Sequence, residues 1–316
     1  MLIFAAFGRI LSGLIMLVAA SAQSVFPDVL LPFLAAALYC ASIMLVKCAS
    51  ASGRLSGVSA LVINNFIAGA AFAPLIFISP LPRELCLVWQ PLLVGLLCSA
   101  GNVATFICAE RGEISLMTPI MGMKMIFVIA FAGAFLDVPL PSSIVAAGVI
   151  CCVAVFIMGF ERGSLKSRKI AFTVSLAVAA CLSYAACDVL IQKFAPNFSK
   201  GAMVGFMTVV MPFSVLPFAP RFLREAAAAG RRDLALGVAA GAIMVLEMFL
   251  MILAISGPVG ASLCNILYNT RGIMAIVFVY FLGRKFAPLK ELSGASALQR
   301  AAGAAMILAA VFMVLY

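Results

Sequence analysis

The chain alternates between apolar runs of about twenty residues and short turns rich in charge, proline or glycine. A helix needs about 20 apolar residues to cross the hydrocarbon core. A helix also satisfies its own backbone hydrogen bonds, which lipid cannot do. Read this way, the runs predict ten core helices, at about 29–49, 57–79, 89–109, 113–135, 140–160, 169–193, 199–220, 233–256, 258–283 and 293–316. The turns between them include SPLPRE from Ser79, DVPLP from Asp137, ERGSLKSRK from Glu161, REAAAAGRRD from Arg224 and GRKFAPLKE from Gly283. The expected fold is an all-α polytopic membrane protein, with no stretch that reads as a soluble domain.

Ahead of the first core helix lies MLIFAAFGRILSGLIMLVAASAQS. Arg9, the apolar stretch from Ile10 to Ala20 and the small residues Ala20-Ser21-Ala22 form the pattern of a signal peptide cleaved near residue 22. An uncleaved extra helix is the competing reading, because Met1–Gly8 is apolar as well.

Composition narrows the function classes. The 316 residues are 66% hydrophobic and 10% charged, against about 45–50% and about 25% in a soluble domain. The net charge of +10 is carried by short loops, where basic residues set membrane orientation and do not mark a nucleic-acid surface. The chain has no histidine, which removes imidazole catalysis, His-ligated metal and His proton relays. Its ten cysteines include no CxxC pair and lie mostly within apolar runs, as small buried hydrophobes do. Neither cofactor nor metal is implied.

The chain also repeats itself. Phe72-Ala73-Pro74 recurs as Phe218-Ala219-Pro220, and Lys47 meets Lys193, both at an offset of 146. Ser115-Leu116 recurs as Ser262-Leu263 at an offset of 147, which also carries Lys124 onto Arg271. Ala146-Ala147-Gly148 returns as Ala301-Ala302-Gly303 at 155. The predicted units are 29–160 and 169–316, five helices each. An odd number of crossings inverts the second copy, so the expected architecture is a ten-helix bundle of two inverted five-helix repeats. Secondary transporters use this plan, with the substrate site near the midplane between the repeats.

Basic residues divide unevenly between the two sides. Fifteen lie in loops after odd-numbered core helices and three (Arg83, Lys193 and Lys200) after even-numbered ones. The odd loops are therefore expected in the cytoplasm. The first core helix then enters from outside, as a signal sequence would arrange, and the C-terminus ends outside.

Four ionisable residues fall well inside predicted spans: Lys124, Asp188, Glu247 and Arg271. Such residues face bundle interiors or wet cavities, pair with each other and mark pathways. Tyr184, Asp188 and Gln192 recur every four residues on one helical face, and Asn265, Tyr268 and Arg271 every three. Asn64, Asn65 and Asn102 add polar groups, and Pro119 is placed to break the helix before Lys124. Two readings stay open. In one, Lys124 and Arg271 face each other and hold an anion, with Tyr184, Asn265 and Tyr268 adding hydrogen bonds and Asp188 or Glu247 carrying a proton. In the other, the four charges form two buried ion pairs that fix helix packing. Met117, Met121, Met123 and Met125 read as gap-fillers and lipid-facing residues. The run Ala68-Gly69-Ala70-Ala71 reads as a close helix contact.

Three stretches carry a resemblance: LPFLAAALYCASIMLVK from Leu31, FICAERGEISLMTPIMGMKMIFVIAF from Phe106 and GPVGASLCNILYNTRGIMAIVFVYFLGR from Gly257. With the two five-helix units, they make the chain, from about residue 30 to 316, similar to the drug/metabolite transporter superfamily of the kind built from two EamA-type domains. The resemblance implies a ten-helix carrier of small metabolites, often an exporter, with a central cavity between inverted halves. Relatives that exchange phosphorylated compounds place basic residues in the cavity, similar in kind to Lys124 and Arg271. Members keep both termini in the cytoplasm, whereas the charges here turn the core the other way up.

The expected function is secondary active transport of a small organic metabolite, preferably anionic, by alternating access with proton coupling or exchange. The expected setting is the bacterial inner membrane, as monomer or homodimer, with lipid and a small-molecule substrate as partners. The alternatives are an exporter of neutral or zwitterionic amino acids or drugs, and a membrane-embedded enzyme or lipid scramblase. No nucleophile–base set in the loops supports an enzyme. A reporter enzyme fused after Tyr316 is expected to be active outside the cytoplasm; activity inside would reverse the assigned orientation.

Overall fold

The structure is a computed structural model, which describes residues 25–82, 84–111, 117, 120–136, 140–159, 167–274 and 297–315. The described residues are helical, with no strand among them. The segment 1–22, expected to be a signal peptide or an extra helix, lies outside them, as do Arg83, Thr118-Pro119 and Tyr316.

The helices are α1 Val25–Ser50, α2 Gly57–Phe72, α3 Leu75–Ile78, α4 Trp89–Arg111, α5 Lys124–Phe135, α6 Ser142–Gly159 and α7 Ser167–Phe194. They continue with α8 Lys200–Val209, α9 Met211–Ser214, α10 Ala219–Ala228, α11 Arg231–Ile255, α12 Gly260–Tyr268 and α13 Ala297–Leu315. Six spans among the described residues are long and apolar enough to cross a membrane: Val29–Ser50, Gly57–Ile78, Leu85–Arg111, Ile170–Asn197, Lys200–Ala228 and Arg231–Ile255. Shorter apolar helices cover Ile120–Phe135, Ser142–Ile157 and Ala302–Leu315. Large apolar side chains such as Phe77, Ile78, Phe213 and Phe312 stand exposed on the outside. That surface suits lipid, and this is a helical membrane protein.

Helix starts follow local chemistry. Ser56 caps α2 by accepting from Ser59 N at 3.3 Å, and Ser199 caps α8 by accepting from Ala202 N at 3.2 Å. Prolines interrupt what the apolar pattern predicts to be continuous. The predicted helix 57–79 stops at Phe72 and resumes after Pro74 as α3. The predicted helix 199–220 is a chain of short pieces, because Pro212 and Pro217 lack the N–H an uninterrupted helix needs. REAAA, expected as loop, lies in α10 instead. Pro220 suits a first turn, the alanines favour helix, and Arg221 pairs with Glu225 one turn on, Nε to Oε1 at 2.8 Å.

The packing recurs in matched pairs. α1 lies along α11, and α4 along α7. α2 packs on α11, and α8 on α4; α12 packs on α1, and α5 on α7. α6 lies along α13. Phe72 stacks on Phe249, with centroids 4.9 Å apart, among the buried Met203, Met207, Met211, Leu250 and Leu253. Met125 is buried and Met123 is exposed, so the methionines divide between core filling and lipid contact. Gly69 lies against Pro212, as the small-residue run around it predicts.

The two ends of α4 are held differently. At its C-terminal end, Arg221 Nη2 meets Glu110 Oε1 at 2.7 Å. Glu225 Oε2 accepts from Ser59 Oγ at 2.6 Å and from Ser56 N at 2.9 Å. At its N-terminal end the ties are neutral: Asn197 Nδ2 donates to Gln90 Oε1 at 3.1 Å, and Ser199 Oγ to Pro80 O at 3.0 Å.

α4 approaches α8 through Gly95, where an added Cβ would run into the carbonyl of Met207 and the side chain of Val210. Gly95→Val is therefore expected to destabilise the protein by about 1–3 kcal/mol. Gly133→Val, in α5 with nothing within 4 Å, is the control expected to melt like the parent; equal melting of both variants in a fluorescence assay would refute this packing.

Candidate functional site

Each intramembrane cation follows an interruption in its helix. Met123 is a turn residue, and Lys124 is the first residue of α5. Asn269 and Thr270 form a turn after α12, and Arg271 begins the helical run 271–274. The backbone tightens alike at both places. Met123 N donates to Ile120 O and Ile126 N to Met123 O, each at 2.9 Å. Thr270 N donates to Leu267 O at 3.1 Å and Ile273 N to Thr270 O at 2.9 Å, the same two bonds 147 residues on. The break ahead of Lys124 was expected at Pro119, outside the described residues; the one described is at Met123. Asn269-Thr270 is a turn signal the apolar pattern masked.

Lys124 has a fixed partner. Its Nζ lies 2.6 Å from Asp188 Oδ2, and both side chains are largely withdrawn from the surface. Asn265 Nδ2 donates to the same oxygen at 2.7 Å and to Ala261 O at 2.9 Å. Asp188 thus joins α5, α7 and α12. Lys124 Nζ also stands 5.6 Å from the centre of the Tyr184 ring. The Tyr184 hydroxyl donates to Asn102 Oδ1 at 2.8 Å and accepts from Thr105 Oγ1 at 3.3 Å.

Arg271 is held by aromatic faces. Its Cζ is 4.7 Å from the centre of the Tyr268 ring and 5.1 Å from that of Tyr39, an arrangement worth about 0.5–2 kcal/mol per ring. The two rings meet edge to face, 6.0 Å apart. Cys40 Sγ donates to the Arg271 carbonyl at 3.3 Å. Among the described residues no carboxylate lies within 4 Å of the guanidinium. Glu247, on α11, interacts with the Tyr268 side chain and feels the charges of Arg271, Lys124 and Asp188. Of the two ion pairs that one reading predicts, the described residues contain one, Lys124–Asp188.

The two cations have reciprocal surroundings. Lys124 stands over Tyr184 of α7, and Arg271 over Tyr39 of α1; the tyrosines are 145 residues apart. Tyr184 bonds to Asn102, and Tyr39 feels the charge of Glu247; those two are also 145 apart. Tyr39 is the site residue that the sequence reading missed; the offset of 146 applied to Tyr184 falls on Leu38, one residue short of it.

The rest of the predicted polar stripe divides. Gln192 Oε1 accepts from Ala261 N at 2.7 Å, satisfying the start of α12. The preceding Gly260 has φ +73° and no room for a Cβ beside Gln192 Nε2. Asn65 Nδ2 donates to Leu61 O at 2.9 Å within its own helix. Among the described residues no three of Cys, Asp and Glu gather closely enough to hold a metal ion. The ten cysteines are free thiols, and only Cys86 is exposed.

The arrangement as a whole has a precedent. A solved crystal structure matches 92% of this chain and 97% of its own, with a TM-score of 0.68. The fold is therefore a known one. At 15% identity the likeness concerns fold alone. No protein-family model and no curated protein matches the chain.

Removing Asp188 would leave an ammonium uncompensated inside the bundle. Asp188→Ala is expected to cost about 3–5 kcal/mol, and Asp188→Ala with Lys124→Met to recover most of it. Thermal melting of both in detergent checks this; a double variant no more stable than the single one would show that the pair contributes little.

Proposed function

We propose that this protein is a secondary transporter of a small organic anion, built as ten helices in two inverted five-helix units, about 29–160 and 169–316. Matched packing supports this architecture, α1 on α11 with α7 on α4, and α12 on α1 with α5 on α7. So do the repeated backbone bonds at an offset of 147. The sequence resemblance to EamA-type drug/metabolite transporters points the same way. The bacterial inner membrane is the setting this reading gives it, with the C-terminus outside.

One observation carries the substrate assignment: Lys124 has Asp188 in contact, while Arg271 is packed against two tyrosines with no acid within 4 Å among the described residues. A guanidinium so placed interacts with the Tyr268 side chain and has further donors to offer a carboxylate or phosphate oxygen pair. Arg271 is then the anion ligand, Tyr39 and Tyr268 orient it, and Lys124 with Asp188 and Asn265 forms the fixed wall opposite. Interrupted helices near the midplane are where such carriers bind substrate. Rocking of one unit against the other would alternate access.

The test is a thermal-shift screen of the purified protein against organic acids, sugar phosphates and amino acids, followed by flux of the best stabiliser in proteoliposomes. Anions are expected to raise the melting temperature of the parent and to lose at least about tenfold in affinity with Arg271→Gln, one charge-assisted contact. Equal stabilisation of both proteins would remove Arg271 from the site. Stabilisation by neutral or zwitterionic amino acids alone would move the substrate class, and lipid flipping without solute flux would replace transport with scrambling.

A further inference from the structure

Glu247 is the acid in the cluster that has no cation in contact. Among the described residues neither Lys124 nor Arg271 comes within 4 Å of it, whereas Asp188 is in contact with Lys124. The groups that face it can be named element by element. α1 presents Tyr39 and Cys40, and α7 presents Tyr184 and Asp188. The region of α12 and the turn after it presents Tyr268 and Arg271, and α5 presents Lys124. α2, which also packs on α11, contains no ionisable residue, and α8 carries only Lys200, at its first position. The remaining charges of α11 itself, Arg231, Arg232 and Asp233, are at its far start.

The charges then sum simply. Lys124 and Asp188 cancel. Arg271 and an ionised Glu247 cancel without touching. An anion arriving at Arg271 leaves this low-dielectric cluster with one negative charge too many, which lipid-enclosed sites resist. Of the two carboxylates, only Glu247 can take up a proton without stripping a cation of its contact partner. Protonating it restores neutrality.

On the anion-carrier reading above, we propose that Glu247 is the proton-carrying residue, that Asp188 is a fixed counter-ion, and that the site takes up one monovalent organic oxyanion together with one proton. The step is a simple protonation: the Glu247 carboxylate gains a proton from solution as the anion binds and returns it as the anion leaves. A dianion would leave the loaded site charged, so monoanions are favoured over doubly ionised phosphates. The loaded carrier and the empty carrier have the same charge, and net movement is driven by pH and concentration and not by voltage.

Methanesulfonate tests this, because it is a monovalent oxyanion that brings no proton of its own. Full-length purified protein in weakly buffered solution above neutrality is expected to take up about one proton per bound anion, read by a pH indicator. Its apparent affinity, read by thermal shift, should fall roughly tenfold per pH unit there. Glu247→Gln should be stabilised by methanesulfonate without proton uptake and without that pH dependence, and Glu247→Asp should restore both. Proton uptake that survives in Glu247→Gln assigns the proton elsewhere and overturns the proposal. Stabilisation of the parent without proton uptake overturns the coupling while leaving the Arg271 anion site standing. Neither stabilisation nor uptake overturns the anion site and the coupling together.

Discussion

An ammonium group placed among membrane helices has to be met by a carboxylate, and Asp188 meets Lys124 at 2.6 Å. Leaving such a charge alone costs about 3–5 kcal/mol, a large share of a protein's margin. That requirement fixes more than one contact. It holds the start of α5 to the middle of α7, and Asn265 extends the same anchor to α12. With α7 lying along α4, Tyr184 then reaches Asn102 and Thr105. The polar interior described is thus a connected framework grown around the Lys124–Asp188 pair, and among the described residues Arg271 is left without an acid in contact.

The correspondence between the two cations extends from position to chemistry, and there it ends in a difference. Both follow a tightened turn, and both stand over a tyrosine of a long helix that begins the other half of the packing scheme. Yet where one tyrosine meets the amide of Asn102, the other is near the carboxylate of Glu247. A neutral hydrogen-bond acceptor on one side and an ionisable group on the other make the two places chemically different. Lys124 has an acid in contact, and Arg271 has none within 4 Å among the described residues.

Much of this was legible in the sequence, because lipid imposes a blunt rule: long apolar runs must be helices and charges inside them must matter. Lys124, Asp188, Glu247 and Arg271 stood out for that reason, and the structure brings them into one neighbourhood. The interruptions did not stand out. Gly122 precedes Met123, but a glycine in an apolar run also serves close packing, here against Val155, and an apolar helix that is buried on one side and lipid-facing on the other shows no polar period to mark where it breaks. Arg221 was counted only for orientation and Glu110 and Glu225 were passed over, since a contact across 111 residues leaves no trace in local pattern. Tyr39 was passed over because an aromatic in an apolar run is ordinary there until its neighbour is known.

Gly260 shows how narrow the tolerance around this cluster is. It is the first residue of α12, with a backbone geometry that side chains avoid and Gln192 packed where a Cβ would go. Every missense change at its codon adds that carbon, so no neighbouring genotype offers a gentler version. The polar ladder five residues further along the chain is therefore inherited through a position at which drift is closed off.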